Sequence, residues 1–99
     1  MLWYSMFMSK TANQLERYYK GAASHRRISI LRLISRSKGL TLEEIAETLK
    51  CNIKTTSEHT RRLVQAGLIN KEYTGRFVTH TLSPFGKIMV ESFELFTNK

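Results

Sequence analysis

Apolar residues recur every third or fourth position along most of this chain, and every second position in one stretch near its end. Leu15, Tyr18, Tyr19 and Ala22 share one side of a helix expected from about Ala12 to Ala23, opened by a Thr11/Gln14 capping box. Ser24 caps a second helix, His25 to Ser37. Its buried stripe is Ile28, Leu31 and Ile34 with Ile30 beside it, and Arg26, Arg27, Arg32 and Arg36 take the wet side. Gly39 ends that helix, and Leu40 suits a very short strand. Thr41 with Glu44 is another capping box, followed by Leu42, Ile45, Ala46 and Leu49 at helical spacing. The pattern stops at Lys50-Cys51. Asn52 then caps a fourth helix, which runs through Leu63, Val64 and Ala66 until Gly67 supplies a left-handed C-terminal cap. Past Gly67 the period drops to two. Residues 68–73 and 77–82 read as strands separated by Thr74-Gly75-Arg76, a β-hairpin with glycine at its tip. Ser83 and Pro84 open a last helix to about Thr97.

Helix, short turn and helix over residues 41–67, followed at once by a hairpin over 68–82, is the order of a winged helix-turn-helix. The expected fold class is mainly α (α+β): helices, a two-stranded wing and a C-terminal helix over 84–97. Ninety-nine residues suffice for one domain and one modest core. Residues 1–10 stand before it as an apolar extension, and no internal repeat or linker divides the chain.

Sixteen Lys/Arg against eight Asp/Glu give a net charge of +8, which favours a polyanionic partner, nucleic acid being the commonest. The excess sits in the first third: residues 1–38 hold eight basic residues and a single Glu. One cysteine rules out an internal disulfide and fits a reducing compartment. The opening MLWYSMFMSK has no basic leader and no small-residue cleavage site, and no stretch reaches the roughly 20 apolar residues of a membrane span. A cytoplasmic location is expected, with no membrane partner. His25, His59 and His80 fall on three elements and Cys51 stands alone, so no metal-ligand set, cofactor site or nucleophile–base pair is legible, and no enzyme is read. Cys51 is either a small buried hydrophobe or a thiol just before a helix N-terminus.

The fourth helix carries the chemistry. Lys54, Ser57, Arg61 and Gln65 share one side, flanked by Thr55, Glu58 and Arg62, while Leu63 and Val64 with Thr56 and Thr60 face the core. Lys and Arg pair with guanine edges or phosphates, and Ser and Thr reach either. Glu58 opposes this: it accepts from cytosine, or it pairs within the helix with Arg61 or Arg62. The Thr56 and Thr60 hydroxyls are expected to bond back to helix carbonyls. Arg76 at the hairpin tip is the wing residue for a minor groove or a phosphate, with Lys71 a weaker candidate.

Residues 19–31 (YKGAASHRRISIL), 41–46 (TLEEIA) and 65–69 (QAGLI) resemble the ArsR-type winged-helix regulators, and the Leu82-Ser83-Pro84-Phe85-Gly86 step is similar to many ArsR- and MarR-like domains. The resemblance covers roughly residues 15 to 97. It implies that Lys54, Thr55, Ser57 and Arg61, with Arg62 beside them, enter the DNA groove. ArsR-like metal sensors carry paired cysteines or a His/Asp cluster, which this chain lacks. The last helix is apolar on more than one side, and with Leu15, Tyr18 and Tyr19 it suggests a subunit interface that includes Met89, Phe93 and Phe96. The resemblance points the same way, since ArsR-like proteins dimerise through their first and last helices. The expected function is a sequence-specific, double-stranded-DNA-binding transcriptional regulator, a homodimeric repressor at a palindromic operator, its effector unspecified. Two rivals are a winged helix used for protein–protein contact, which the acidic Glu58 favours, and non-specific DNA packaging by the basic first third.

Overall fold

Four side chains start the first four helices. Thr11 caps α1 (Ala12–Ala22), Ser24 caps α2 (His25–Arg36), Thr41 caps α3 (Leu42–Leu49) and Asn52 caps α4 (Ile53–Gln65). The caps of α1 and α3 are full capping boxes, with Gln14 and Glu44 reaching back to the cap backbone. This computed structural model describes residues 10–97, so nearly all of the expected N-terminal extension lies outside the described residues.

α4 ends in a Schellman motif. The Gly67 N–H donates to Val64 O at 3.0 Å and the Leu68 N–H to Leu63 O at 3.0 Å, with Gly67 at φ 82°. The equivalent turn after α3 is made without glycine. Lys50 takes φ 54°, and the Cys51 N–H reaches Ala46 O at 2.9 Å. This left-handed lysine has no sequence signal, because a three-residue turn leaves no periodicity to read.

The hairpin consists of β2 (Ile69–Thr74) and β3 (Phe77–Leu82), paired from Ile69↔Leu82 to Thr74↔Phe77. Thr74 therefore belongs to the strand and not to the expected three-residue tip. Gly75 at φ 61° occupies the first position of a two-residue turn, where a non-glycine residue would be strained, and Arg76 is the second. A third strand, β1 (Leu40–Thr41), pairs with β3 through Leu40↔His80, giving an antiparallel sheet of order β1-β3-β2. His80 is buried and its Nδ1 lies 2.8 Å from Leu40 O. A carbonyl only accepts, so that ring nitrogen carries the proton.

The core takes Ile30, Leu31 and Ile34 from α2, Ile45 from α3, Leu63 from α4, Leu68 and Ile69 from the start of the wing, and Met89 and Val90 from α5 (Pro84–Thr97). Ile28 is only half-buried, whereas Ile30 is deeply buried, reversing the expected order of the two. The reason is that α2 is packed against α3, α4, α5 and β3 together, so its inward face centres on residues 30, 31 and 34. Burial also removes part of the expected wet side. Arg27 and Arg32 are half-buried with their Nε atoms out of solvent, and Arg32 faces Glu94 of α5 at 3.9 Å.

Ser83 joins α4 to α5. Its hydroxyl donates to Gly67 O at 2.6 Å and accepts the Gly86 N–H at 3.0 Å, while its own N–H donates to Leu68 O at 3.0 Å. α5 crosses the start of the wing so closely that a Cβ on Gly86 would fall 2.0 Å from Leu68 O. Any side chain there would push the last helix off the hairpin.

Candidate nucleic-acid interface

α4 is held by one face and open on the other. Thr56, Thr60 and Leu63 are buried, and Lys54, Thr55, Ser57, Glu58, Arg61, Arg62 and Gln65 are all exposed. The Asn52 carboxamide oxygen accepts the Lys54 N–H at 2.7 Å and the Thr55 N–H at 3.3 Å, which fixes where the first turn begins. Lys54, Thr55 and Ser57 thus project from the N-terminal half of a helix anchored at both ends, by Asn52 and by the Gly67 cap. A helix in the major groove reads bases from those turns.

Glu58 pairs within its own helix. Its Oε2 accepts from Arg61 Nη2 at 2.5 Å and from Arg62 Nε at 3.1 Å. The hydrogen bond from Arg61 is the main reason the Glu58 carboxyl is held below its ordinary value of 4.5, and Arg62 adds to it. Glu58 therefore orients both arginines in the free protein, leaving Lys54 as the one cation on this face of α4 without a carboxylate partner among the described residues.

Behind this face, α2 reaches the helix-turn-helix through two arginines. Arg26 Nη1 donates to Cys51 Sγ, and Arg27 Nη1 lies 3.2 Å from His59 Nδ1. Cys51 is half-buried, midway between a buried hydrophobe and an open thiol. His59 has its protonated form disfavoured, by burial first and then by the Arg27 and Arg26 charges, so its pKa falls below 6.5. The neutral ring accepts at Nδ1 from Arg27. Neither contact is legible from sequence, because each joins residues at least 25 positions apart.

Thr56 bonds back to Asn52 O at 2.9 Å as expected, but the Thr60 hydroxyl is buried with no partner. Arg76 stands exposed at the wing tip with Lys71 further back along β2. The six interface candidates separate. Tyr18 and Met89 are buried inside the chain, so they belong to its own core: their helices turn those positions inward, with the Tyr18 ring 4.8 Å from that of Phe85. Leu15 and Phe93 are half-buried, while Tyr19 is 57% and Phe96 82% exposed. Leu95, 78% exposed, joins Phe96 on the outer surface of α5. Among the described residues no group of His, Cys, Asp or Glu could hold a metal ion, and no helix is long and apolar enough to cross a membrane.

Solved structures share this architecture over nearly the whole chain. HlyU from Vibrio cholerae is 25% identical with a TM-score of 0.80, over 92% of this chain and 99% of that one. A homodimeric winged helix-turn-helix DNA-binding domain from Mycobacterium bovis, described as a possible ArsR-family transcriptional regulator, is 20% identical with a TM-score of 0.78, over 91% and 89%. The transcriptional repressor PagR of Bacillus anthracis is 18% identical with a TM-score of 0.77, over 88% and 98%. No curated protein matches the sequence. The family model that matches is that of the MarR family, neighbour to the ArsR type, over residues 24–73, from the cap of α2 through most of β2. With half of its length matched, including the whole helix-turn-helix, the chain belongs to the MarR family of winged-helix transcriptional regulators.

Proposed function

We propose that this protein is a sequence-specific regulator of double-stranded DNA, a homodimeric repressor of ArsR-like type that blocks a palindromic operator from the cytoplasm. One observation carries the reading. α4 presents an unbroken polar face, Lys54 to Gln65, on a helix whose opposite face is locked into the core. Lys54, Thr55 and Ser57 address base edges. Arg61 and Arg62 exchange Glu58 for bases or phosphates as the groove closes around them, and Arg76 meets the backbone or minor groove from the wing. The ArsR-like assignment is supported by the motifs at residues 19–31, 41–46 and 65–69.

Dimerisation is supported by the exposed apolar surface of α1 and α5, where Tyr19, Leu95 and Phe96 project beside half-buried Leu15 and Phe93. A two-fold pair sets two copies of α4 about one DNA turn, roughly 34 Å, apart. Sedimentation of the protein alone and with a duplex carrying a selected site tests both parts. The expected species are a dimer and a complex of two chains per duplex. A monomer that binds half-sites singly would sink the dimer, and a duplex left free at physiological salt would sink the regulator.

A further inference from the structure

Beside the exposed face of α4 lies a shallow open cleft of about 270 Å³, between α1 and the C-terminal half of α4. Arg17 and Lys20 of α1, Arg27 of α2 and Arg62 of α4 line it together with Gly21 and Ala66. The two helices meet tightly there, since a Cβ on Gly21 would fall 2.3 Å from the Cβ of Ala66, and this contact fixes the width of the cleft.

Among the described residues no carboxylate lines the cleft. Outside it, Glu16 pairs with Lys20 at 3.1 Å, and Glu58 divides its charge between Arg62 and Arg61. Arg17 and Arg27 have no carboxylate partner among the described residues. Arg27 makes do with His59 Nδ1 and the Ala23 carbonyl, and its buried Nε has no acceptor. Two of the four cations are thus left without a carboxylate, and an anion seated among the four would offset the repulsion between them. The His59 pKa, lowered first by burial, is lowered further by the Arg27 charge. Arg62 also fixes where the cleft lies. On a helical wheel it stands at the edge of the face formed by Lys54, Glu58, Arg61 and Gln65, so a duplex with α4 in its major groove carries one backbone strand past the cleft.

We propose that this cleft is a phosphate-binding site, and that its phosphate belongs to the DNA strand bordering the groove that α4 enters. The proposal rests on the DNA-binding reading above, while the site itself would also accept a free phosphate. It assigns Arg17 and Lys20, on an element outside the helix-turn-helix and the wing, to positioning the protein on DNA without reading sequence.

Binding to a selected duplex and to a random one, across about 50 to 200 mM salt, tests it in wild type, Arg17→Gln/Lys20→Gln and Lys54→Ala. For the double variant the slope of log affinity on log salt should fall by about 1. Both duplexes should weaken alike, so that base preference is kept. Lys54→Ala should instead lose preference. In a second arm, inorganic phosphate is titrated into DNA-free protein while amide NMR signals are followed. Saturable shifts at Gly21 and Ala66 that the double variant lacks establish a site that takes free phosphate, even if the salt slope is unchanged. Wild type that ignores DNA but shows those shifts removes the DNA source and keeps the site. An unchanged salt slope together with no saturable shifts overturns the proposal.

Discussion

Thr56 and Thr60 lie one helical turn apart on the buried side of α4, and only Thr56 has a hydrogen-bond partner. The position of both against the core is legible from periodicity, but the missing partner is not, because it depends on packing in three dimensions. A buried hydroxyl without a partner costs roughly 1–3 kcal/mol. Thr60→Val keeps the shape and removes the polar atom, so it should stabilise the fold by about 1 kcal/mol in urea denaturation. Thr56→Val should show no such gain. Glu58 is legible as one of two alternatives, reading DNA or pairing in the helix, and in the free protein it pairs. His59 adds a pH term. Its folded pKa lies below the ordinary 6.5, so the unfolded chain takes up a proton first as pH falls. This contribution to stability is full above about pH 6.5 and is lost as pH drops from there toward the folded value. Denaturation midpoints measured on both sides of that range should fall in wild type and fall less in His59→Gln. An identical pH response in the two proteins would remove His59 as the cause.

The elements are legible wherever a local rule sets them. Four N-caps, the glycine cap at Gly67 and the change of period after it all have short-range causes, and the helices and strands follow them within a residue or two. What escapes a sequence reading depends on how the elements meet. α2 lies deeper than one amphipathic stripe implies, which buries Ile30 and draws the Nε atoms of Arg27 and Arg32 out of water. Tyr18 and Met89 carry the apolar signal of an interface but complete the chain's own core. Ser83, by contrast, is legible as a cap but serves also as the link between the Gly67 turn and the last helix. Ser83→Ala removes that cap and strands a carbonyl and an N–H, so it should cost about 2 kcal/mol in chemical denaturation, toward the upper end for a cap. A loss well under about 0.5 kcal/mol would mean that water replaces both bonds.

At the scale of the whole molecule, the charge of +8 by itself points to a polyanion, and the fold supplies a helix suited to one. The winged-helix class is legible because the helix-turn-helix and hairpin are contiguous in sequence. The step from superfamily to family is less so. The matched stretch, residues 24–73, spans the helix-turn-helix and most of the wing's first strand, and the outer helices α1 and α5 fall outside it. Those outer helices bear the exposed Tyr19, Leu95 and Phe96 on which the proposed dimer rests. Base reading by α4 is best tested by selecting bound fragments from a random duplex library with wild type and with Lys54→Ala/Arg61→Ala. Wild type should enrich an inverted repeat that the variant no longer enriches. Retention of fragments without any enrichment by wild type, or the same enriched repeat in both proteins, would contradict base reading by α4.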